Sequence, residues 1–144
     1  MNGIVEPIAV YFEDMDPLGM LHNSKYINLF ERAHTNYWAR AGWAYDPVSP
    51  RFKEMLFVVK ENSVTYHKPI LRTGTVHVRM WVDKLGNTSV IYGFQALSED
   101  EAVLHAEGRR VIVRVDPETG RPASIPQEQR DAAGPLLRDA PVDS

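Results

Sequence analysis

One stretch of this chain carries a helical period, and nearly everything after it alternates. From Tyr26 the apolar residues Tyr26, Phe30, Ala33, Tyr37 and Ala41 recur at spacings of four, three, four and four. Ile27, Leu29 and Trp38 flank that stripe, while Lys25, Asn28, Arg32, Asn36 and Arg40 lie largely elsewhere. Gly42 marks the stop. About 18 residues of helix span roughly 27 Å, the length of an 8–9 residue strand, so such a helix lies along a sheet and is covered by it. A short strand from about Ile8 to Phe12 precedes the helix, and an irregular connection from Ala44 to Glu54, with Pro47 and Pro50, follows it. Four strands are then expected, over Met55–Lys68, Thr75–Lys84, Thr88–Leu97 and Ala102–Val115. Val76, Val78, Met80 and Val82 alternate with His77, Arg79, Trp81 and Asp83. Lys84–Asn87 and Ser98–Glu101 supply hairpin turns. In the last strand the apolar phase moves from Leu104 and Ala106 to Val111, Val113 and Val115, which predicts a β-bulge or bend near Gly108. The class is therefore α+β, one long helix on a strongly bent antiparallel sheet of about five strands.

A chain of 144 residues, 44% hydrophobic, is one domain's length and buries a real core. The net charge of −3, with Lys and Arg scattered, lacks the basic stripe that nucleic acid requires. The start Met-Asn-Gly-Ile-Val-Glu-Pro has no basic region before an apolar run, and no stretch is long and apolar enough to span a membrane. A soluble, cytoplasmic protein is expected. With no cysteine there is no thiol nucleophile, disulfide or zinc-thiolate site. The five histidines show no metal-binding spacing, no Gly-rich phosphate loop occurs, and Gly-x-Ser-x-Gly is missing, so neither a metal nor an organic cofactor is implied. Asn87-Thr88-Ser89 reads as a turn.

The chemistry concentrates where an acid-rich turn meets the helix. Asp16 is followed by Pro17 and Gly19, which bend the backbone, and the helix that begins near Asn23 or Ser24 presents unpaired N–H groups toward it. Thioester hydrolysis needs a group that delivers oxygen to the carbonyl and a donor that holds the charge developing on the carbonyl oxygen. Asp16 suits the first need, either by direct attack or by drawing a proton from water. The helix start suits the second. Asn23 and Ser24 are also natural helix caps, Asp-Pro-x-Gly is also a plain turn, and His22 either supports Asp16, contacts substrate or fills the junction. Glu13 and Asp14 are weaker alternatives to Asp16, and Glu31 is a pairing partner for Arg32 or a partner strand.

Asp16, Gly19, Met20-Leu21, His22-Asn23, Tyr26 and Phe30-Glu31-Arg32-Ala33 together resemble the signature of hotdog-fold acyl-CoA thioesterases of the 4-hydroxybenzoyl-CoA thioesterase type. The likeness continues through Val64–Pro69, Gly74, Gly86–Ser89 and the last strand, covering roughly residues 5 to 126. Residues 1–126 then form one domain and 127–144 a C-terminal tail, poorly ordered at its end, with a helical turn around Gln127–Ala133. The resemblance implies a thioesterase acting on acyl-CoA or acyl-carrier-protein thioesters. It places the oxyanion donor at the backbone N–H of Asn23. From the residues themselves, His22 is a supporting candidate and Gly19, Tyr26 and Phe57 are candidate substrate contacts, while Tyr26 and Phe30 also fit the core stripe. The resemblance further implies a homodimer or a dimer of dimers, with sites between subunits. Rival readings are a hotdog dehydratase using an acid with His67 or His77, and an acyl-CoA-binding module without turnover. Trp38, Trp43, Tyr45, Phe52 and Phe57 are candidates for an aromatic or long acyl pocket, and Lys60, Lys68, Arg72 and Lys84 for the coenzyme A phosphates.

Overall fold

The computed structural model describes residues 3–138. Five strands, β1 (Ile4–Val10), β2 (Phe57–Tyr66), β3 (Gly74–Leu85), β4 (Ser89–Leu97) and β5 (Leu104–Arg114), form one sheet in the order β1-β3-β4-β5-β2. Every neighbouring pair is antiparallel. The helix α1 (Tyr26–Arg40) lies in the concave face, the hotdog arrangement that the resemblance implies. Its stripe explains the seat: Tyr26, Leu29, Phe30 and Ala33 are buried against Val78, Met80, Tyr92, Phe94 and Ala106. Phe30 stacks on Phe94 with centroids 4.9 Å apart. Gly42, at φ +105°, ends the helix in the left-handed region, as its place predicts.

The first strand starts at Ile4 and ends at Val10, not at Ile8 and Phe12. Glu6-Pro7 looks like a break in sequence, yet β1 is an edge strand, where proline's missing N–H costs no ladder bond. Glu6 points inward to an ion pair with Arg40 of α1. The chain leaves the sheet at Tyr11 and turns through a 3-10 segment, Phe12–Asp14.

No bulge occurs at Gly108, which pairs in register with both Phe94 and Val64. A Cβ at Gly108 would lie 2.6 Å from the Phe94 ring, so the glycine makes room for a core aromatic. The apparent change of phase has another origin. Arg110 occupies an inner position over the Phe30 ring, while Val111 and Val113 belong to the opposite face. The register shift in β5 falls at its start, between the Ala96–Ala106 and Leu97–Leu104 pairs.

The segment after Asp116 packs against the open end of the helix-sheet layer. Ile125, Gln129, Ala133 and Leu136 are buried around a short helix, α2 (Gln127–Ala132). Arg130 donates to the carbonyls of Gly86 and Asn87 in the β3–β4 turn, at 2.6 and 3.0 Å, and Tyr37 donates to the Ala132 carbonyl. The expected unordered end of the tail falls largely on residues 139–144, outside the described residues. Among the described residues no helix is long and apolar enough to cross a membrane.

Candidate functional site

The turn before α1 is built around the Asp16 carboxylate. Its Oδ1 accepts the N–H groups of Leu18 (2.9 Å) and Met20 (3.2 Å), a turn-closing pattern that short acidic side chains make readily. Gly19, at φ +80°, donates its N–H to the Asp16 carbonyl at 3.0 Å. Among the described residues Oδ2 accepts nothing, so half of the carboxylate is bound and half is free.

A 3-10 turn, Asn23–Lys25, leads into α1. Its cap is His22, not Asn23 or Ser24: His22 Nδ1 accepts the Ser24 N–H at 3.2 Å and lies 2.8 Å from Ser24 Oγ. The Lys25 N–H goes to the His22 carbonyl. With Ser24, Lys25 and Gly19 all engaged, the Asn23 N–H is the free donor among the described residues of this junction. Tyr66 Oη donates to the Asn23 carbonyl at 3.0 Å and thereby ties the end of β2 to this peptide. Tyr26 meets Tyr66 edge-on at 5.2 Å and accepts the Ile70 N–H, while burial raises its phenol pKa. A cavity of about 340 Å³ is lined by Asp16, His22, Asn23, Tyr26, Tyr66 and His67, with Lys68 beside them. The predicted carboxylate, helix start and Tyr26 therefore meet in one place. His22 bonds forward to Ser24 rather than to Asp16, and Gly19 shapes the turn without lining the cavity.

Tyr66, His67, Lys68 and Pro69 also line the cavity and lie outside the motif at the helix. Their sequence signal is the Val64–Pro69 part of the likeness, within which His67 is the histidine named for the dehydratase reading. His67 Nε2 lies 2.9 Å from Glu107 Oε2. His77 is elsewhere, paired with Glu101 on the opposite face of the sheet.

Other carboxylates of the region have structural duties. Asp14, 1% exposed, takes a forked pair of bonds from Arg32 at 3.0 and 3.2 Å and the N–H of Tyr11. The Arg32 guanidinium holds its carboxyl below the usual range, against the opposing effect of burial. Glu13 is exposed. Glu31 pairs with Arg110 at 2.7 Å rather than with Arg32, and Arg110 also donates to Asn62 of β2 at 2.8 Å.

A second cavity, about 230 Å³, lies toward the C-terminal end of α1. Trp38, Trp43, Phe57, Tyr92 and Ile112 wall it, with His34 on one side. Phe57 thus belongs here and not with Asp16, while Tyr45 and Phe52 pack on each other outside it. Trp38 Nε1 donates to Tyr92 Oη at 3.0 Å. Burial, reinforced by the nearby Arg110 charge, lowers the His34 pKa to about 4, so the imidazole is neutral at pH 7. Of the four basic candidates for the coenzyme A phosphates, Lys68 stands at the Asp16 cavity and Arg72 lines a separate depression between residues 69–76 and the β4–β5 turn.

The sequence profile of the thioesterase-like superfamily matches residues 10–133. The acyl-CoA thioester hydrolase YbgC of Escherichia coli O6:H1 strain CFT073 is 23% identical over 121 residues, 84% of this chain and 88% of that protein. The crystal structure of the PA5185 protein from Pseudomonas aeruginosa strain PAO1 superposes with a TM-score of 0.84 at 30% identity, covering 97% of this chain and 95% of that one. A thioesterase from Thermus thermophilus, solved with coenzyme A and Zn, is 30% identical with a TM-score of 0.74, over 94% of this chain and 96% of that one.

Proposed function

The chain belongs to the thioesterase-like superfamily, and from that premise we propose that it hydrolyses acyl-CoA thioesters to free acid and thiol at the cavity between Asp16 and the start of α1. The observation that carries this reading is the pairing of one free carboxylate oxygen, Asp16 Oδ2, with one free backbone donor, the Asn23 N–H, in a single cavity.

The chemistry follows from that pairing. A thioester carbonyl oxygen that accepts the Asn23 N–H acquires its negative charge beside the N-terminal turn, where the free amide and the helix dipole favour an anion. Asp16 Oδ2 either attacks the carbonyl carbon, expelling the thiolate and leaving a mixed anhydride for water to open, or takes a proton from the attacking water. The two N–H bonds on Oδ1 orient the carboxylate in both cases. Coenzyme A is the thiol named for relatives of this chain, and an acyl-carrier protein presents the same thioester.

A second copy of the chain completes the proposed unit. Strand β2 is a ten-residue edge strand, largely exposed along its length, with Val58 and Val59 each 50% exposed. An edge of that length and composition invites pairing, and its Tyr66 end abuts the Asp16 cavity. A homodimer is therefore the least assembly, measured by sedimentation; a fully active monomer at micromolar concentration contradicts it.

Thiol release from a panel of acyl-CoA esters tests the reaction, with Asp16→Asn as the paired variant. Hydrolysis lost in a folded Asp16→Asn protein is the expected result, and a rate near wild type removes Asp16 from the mechanism. The presence of His67 in the same cavity supports one alternative, hydration of an enoyl thioester by an acid and a histidine. Water addition to crotonyl-CoA without thiol release would favour it.

A further inference from the structure

The two cavities flank the same two elements. Asn23 and Tyr26 at the start of α1, with Tyr66 at the end of β2, line the first; His34 and Trp38 further along α1, with Phe57 and Val59 at the start of β2, line the second. Between them Ile27 and Val64 are partly buried, and Arg110 bridges α1 to β2 through Glu31 and Asn62. The far end is closed by the C-terminal segment, through Ile125, Gln129 and Ala133. Gln129 is fixed there by its amide donating to the Glu54 carbonyl at 2.9 Å.

Resting on the hydrolase reading above, we infer that the second cavity receives the far end of the acyl group, and that Ile125, Gln129 and Ala133 act as the stop that sets acyl length. The occupant is an uncharged alkyl or arylalkyl tail, because the walls are mostly aromatic and aliphatic, and the polar groups of Arg110, Gln129 and Tyr92 among them are already bonded to Glu31 and Asn62, to the Glu54 carbonyl and to Trp38. An acyl chain whose carbonyl sits at the Asn23 N–H reaches this cavity by running along α1. His34 lies eleven residues beyond Asn23 and Trp38 fifteen, roughly 16.5 and 22.5 Å at the helical rise. An extended alkyl chain advances about 1.3 Å per carbon, from a C–C bond of about 1.5 Å at a tetrahedral angle. That distance corresponds to about 13–17 carbons. Short acyl groups leave the cavity unfilled and forgo the apolar burial it offers.

The chain has three tryptophans. Trp38 and Trp43 line the cavity, and Trp81 lies on the opposite face of the sheet beside Asp83. In a Trp81→Phe protein, S-(16-bromohexadecyl)-CoA, a thioether that cannot be hydrolysed, should quench the remaining fluorescence strongly, and S-(3-bromohexadecyl)-CoA weakly. Equal quenching by both, or none, overturns the inference. In parallel, Ala133→Leu should lower kcat/KM for hexadecanoyl-CoA at least tenfold relative to butanoyl-CoA, with the optimum moving to a shorter chain; a uniform loss at every length also overturns it. Hydrolysis and quenching fail separately. Quenching without turnover of any acyl-CoA leaves the cavity assignment and removes the hydrolase reading, whereas turnover without position-dependent quenching does the reverse.

Discussion

The two ends of α1 differ in what the backbone is asked to do. At the N-terminal end the side chains bind one another sparingly: one Asp16 oxygen and one amide are left unpaired, and the surroundings are polar and partly open. Toward the C-terminal end the polar groups of Trp38, Trp43, Tyr92, Gln129 and Arg110 are paired, and the imidazole of His34, kept neutral by burial, faces a hollow that is otherwise mostly apolar. The contrast repeats over two residues, since Asp14 is buried and paired while Asp16 is half-buried and half-free. Pairing makes a group structural. An unspent oxygen or N–H beside a cavity makes it available to a ligand.

The largest effect that tests this contrast is loss of Asp16. Asp16→Ala should lower thioester hydrolysis by about 10²–10⁴-fold if it acts as a base, and more if it is the nucleophile, with a melting temperature close to wild type. Next comes the donor. Asn23→Pro removes the free N–H at a position where the first helical turn tolerates proline, and should cost about 10²–10³-fold, far more than Asn23→Ala. Circular dichroism checks the fold, and equal rates for the two folded variants would move the donor elsewhere.

Asp14→Ala should invert the Asp16 result, costing stability of about 2–3 kcal/mol because Arg32 and the Tyr11 N–H lose their acceptor, with activity retained in the folded fraction. Denaturant melts read this directly. Its depressed carboxyl also contributes stability above the unfolded-state pKa, and that contribution disappears as pH falls through the lower folded value.

At the other end of the helix, His34 has a folded pKa of about 4 against 6.5 unfolded. Its contribution is complete above pH 6.5 and falls as the unfolded chain takes up the proton between 6.5 and 4, by something on the order of 2 kcal/mol for a ring that keeps one side toward a cavity. Melting at pH 7 and pH 5 should show that loss in wild type and a smaller one in His34→Phe. The smallest change is Gly19→Ala. Nothing crowds a Cβ there, so the cost is the left-handed backbone alone, about 1 kcal/mol by thermal melting, with the Asp16 turn less well held.

Periodicity made the helix legible because Tyr26, Phe30 and Ala33 are buried by the same spacing that identifies them. Gly42 and the hairpin turns were legible because their local backbone demands are short-range. Asp16, Asn23 and Tyr26 were legible as a set because one loop-helix unit carries them all. What escaped depends on partners distant in sequence. Glu31 finds Arg110, 79 residues away, rather than its neighbour Arg32, and no pattern in either segment announces that. Tyr66 reaches Asn23 across 43 residues. Gly108 resembled a bend because the Phe94 ring it accommodates lies on another strand, and His22 became the cap of the 3-10 turn because its imidazole reaches the Ser24 amide.

The seat of α2 has a consequence for how the far wall can come loose. The wall is tied from outside the ladder, by Arg130 on the Gly86 and Asn87 carbonyls, by Tyr37 on the Ala132 carbonyl and by Gln129 on the Glu54 carbonyl, and none of these bonds is a rung between strands. Breaking them opens the second cavity and leaves every strand pair intact, as the base of a vessel comes away without cracking its side.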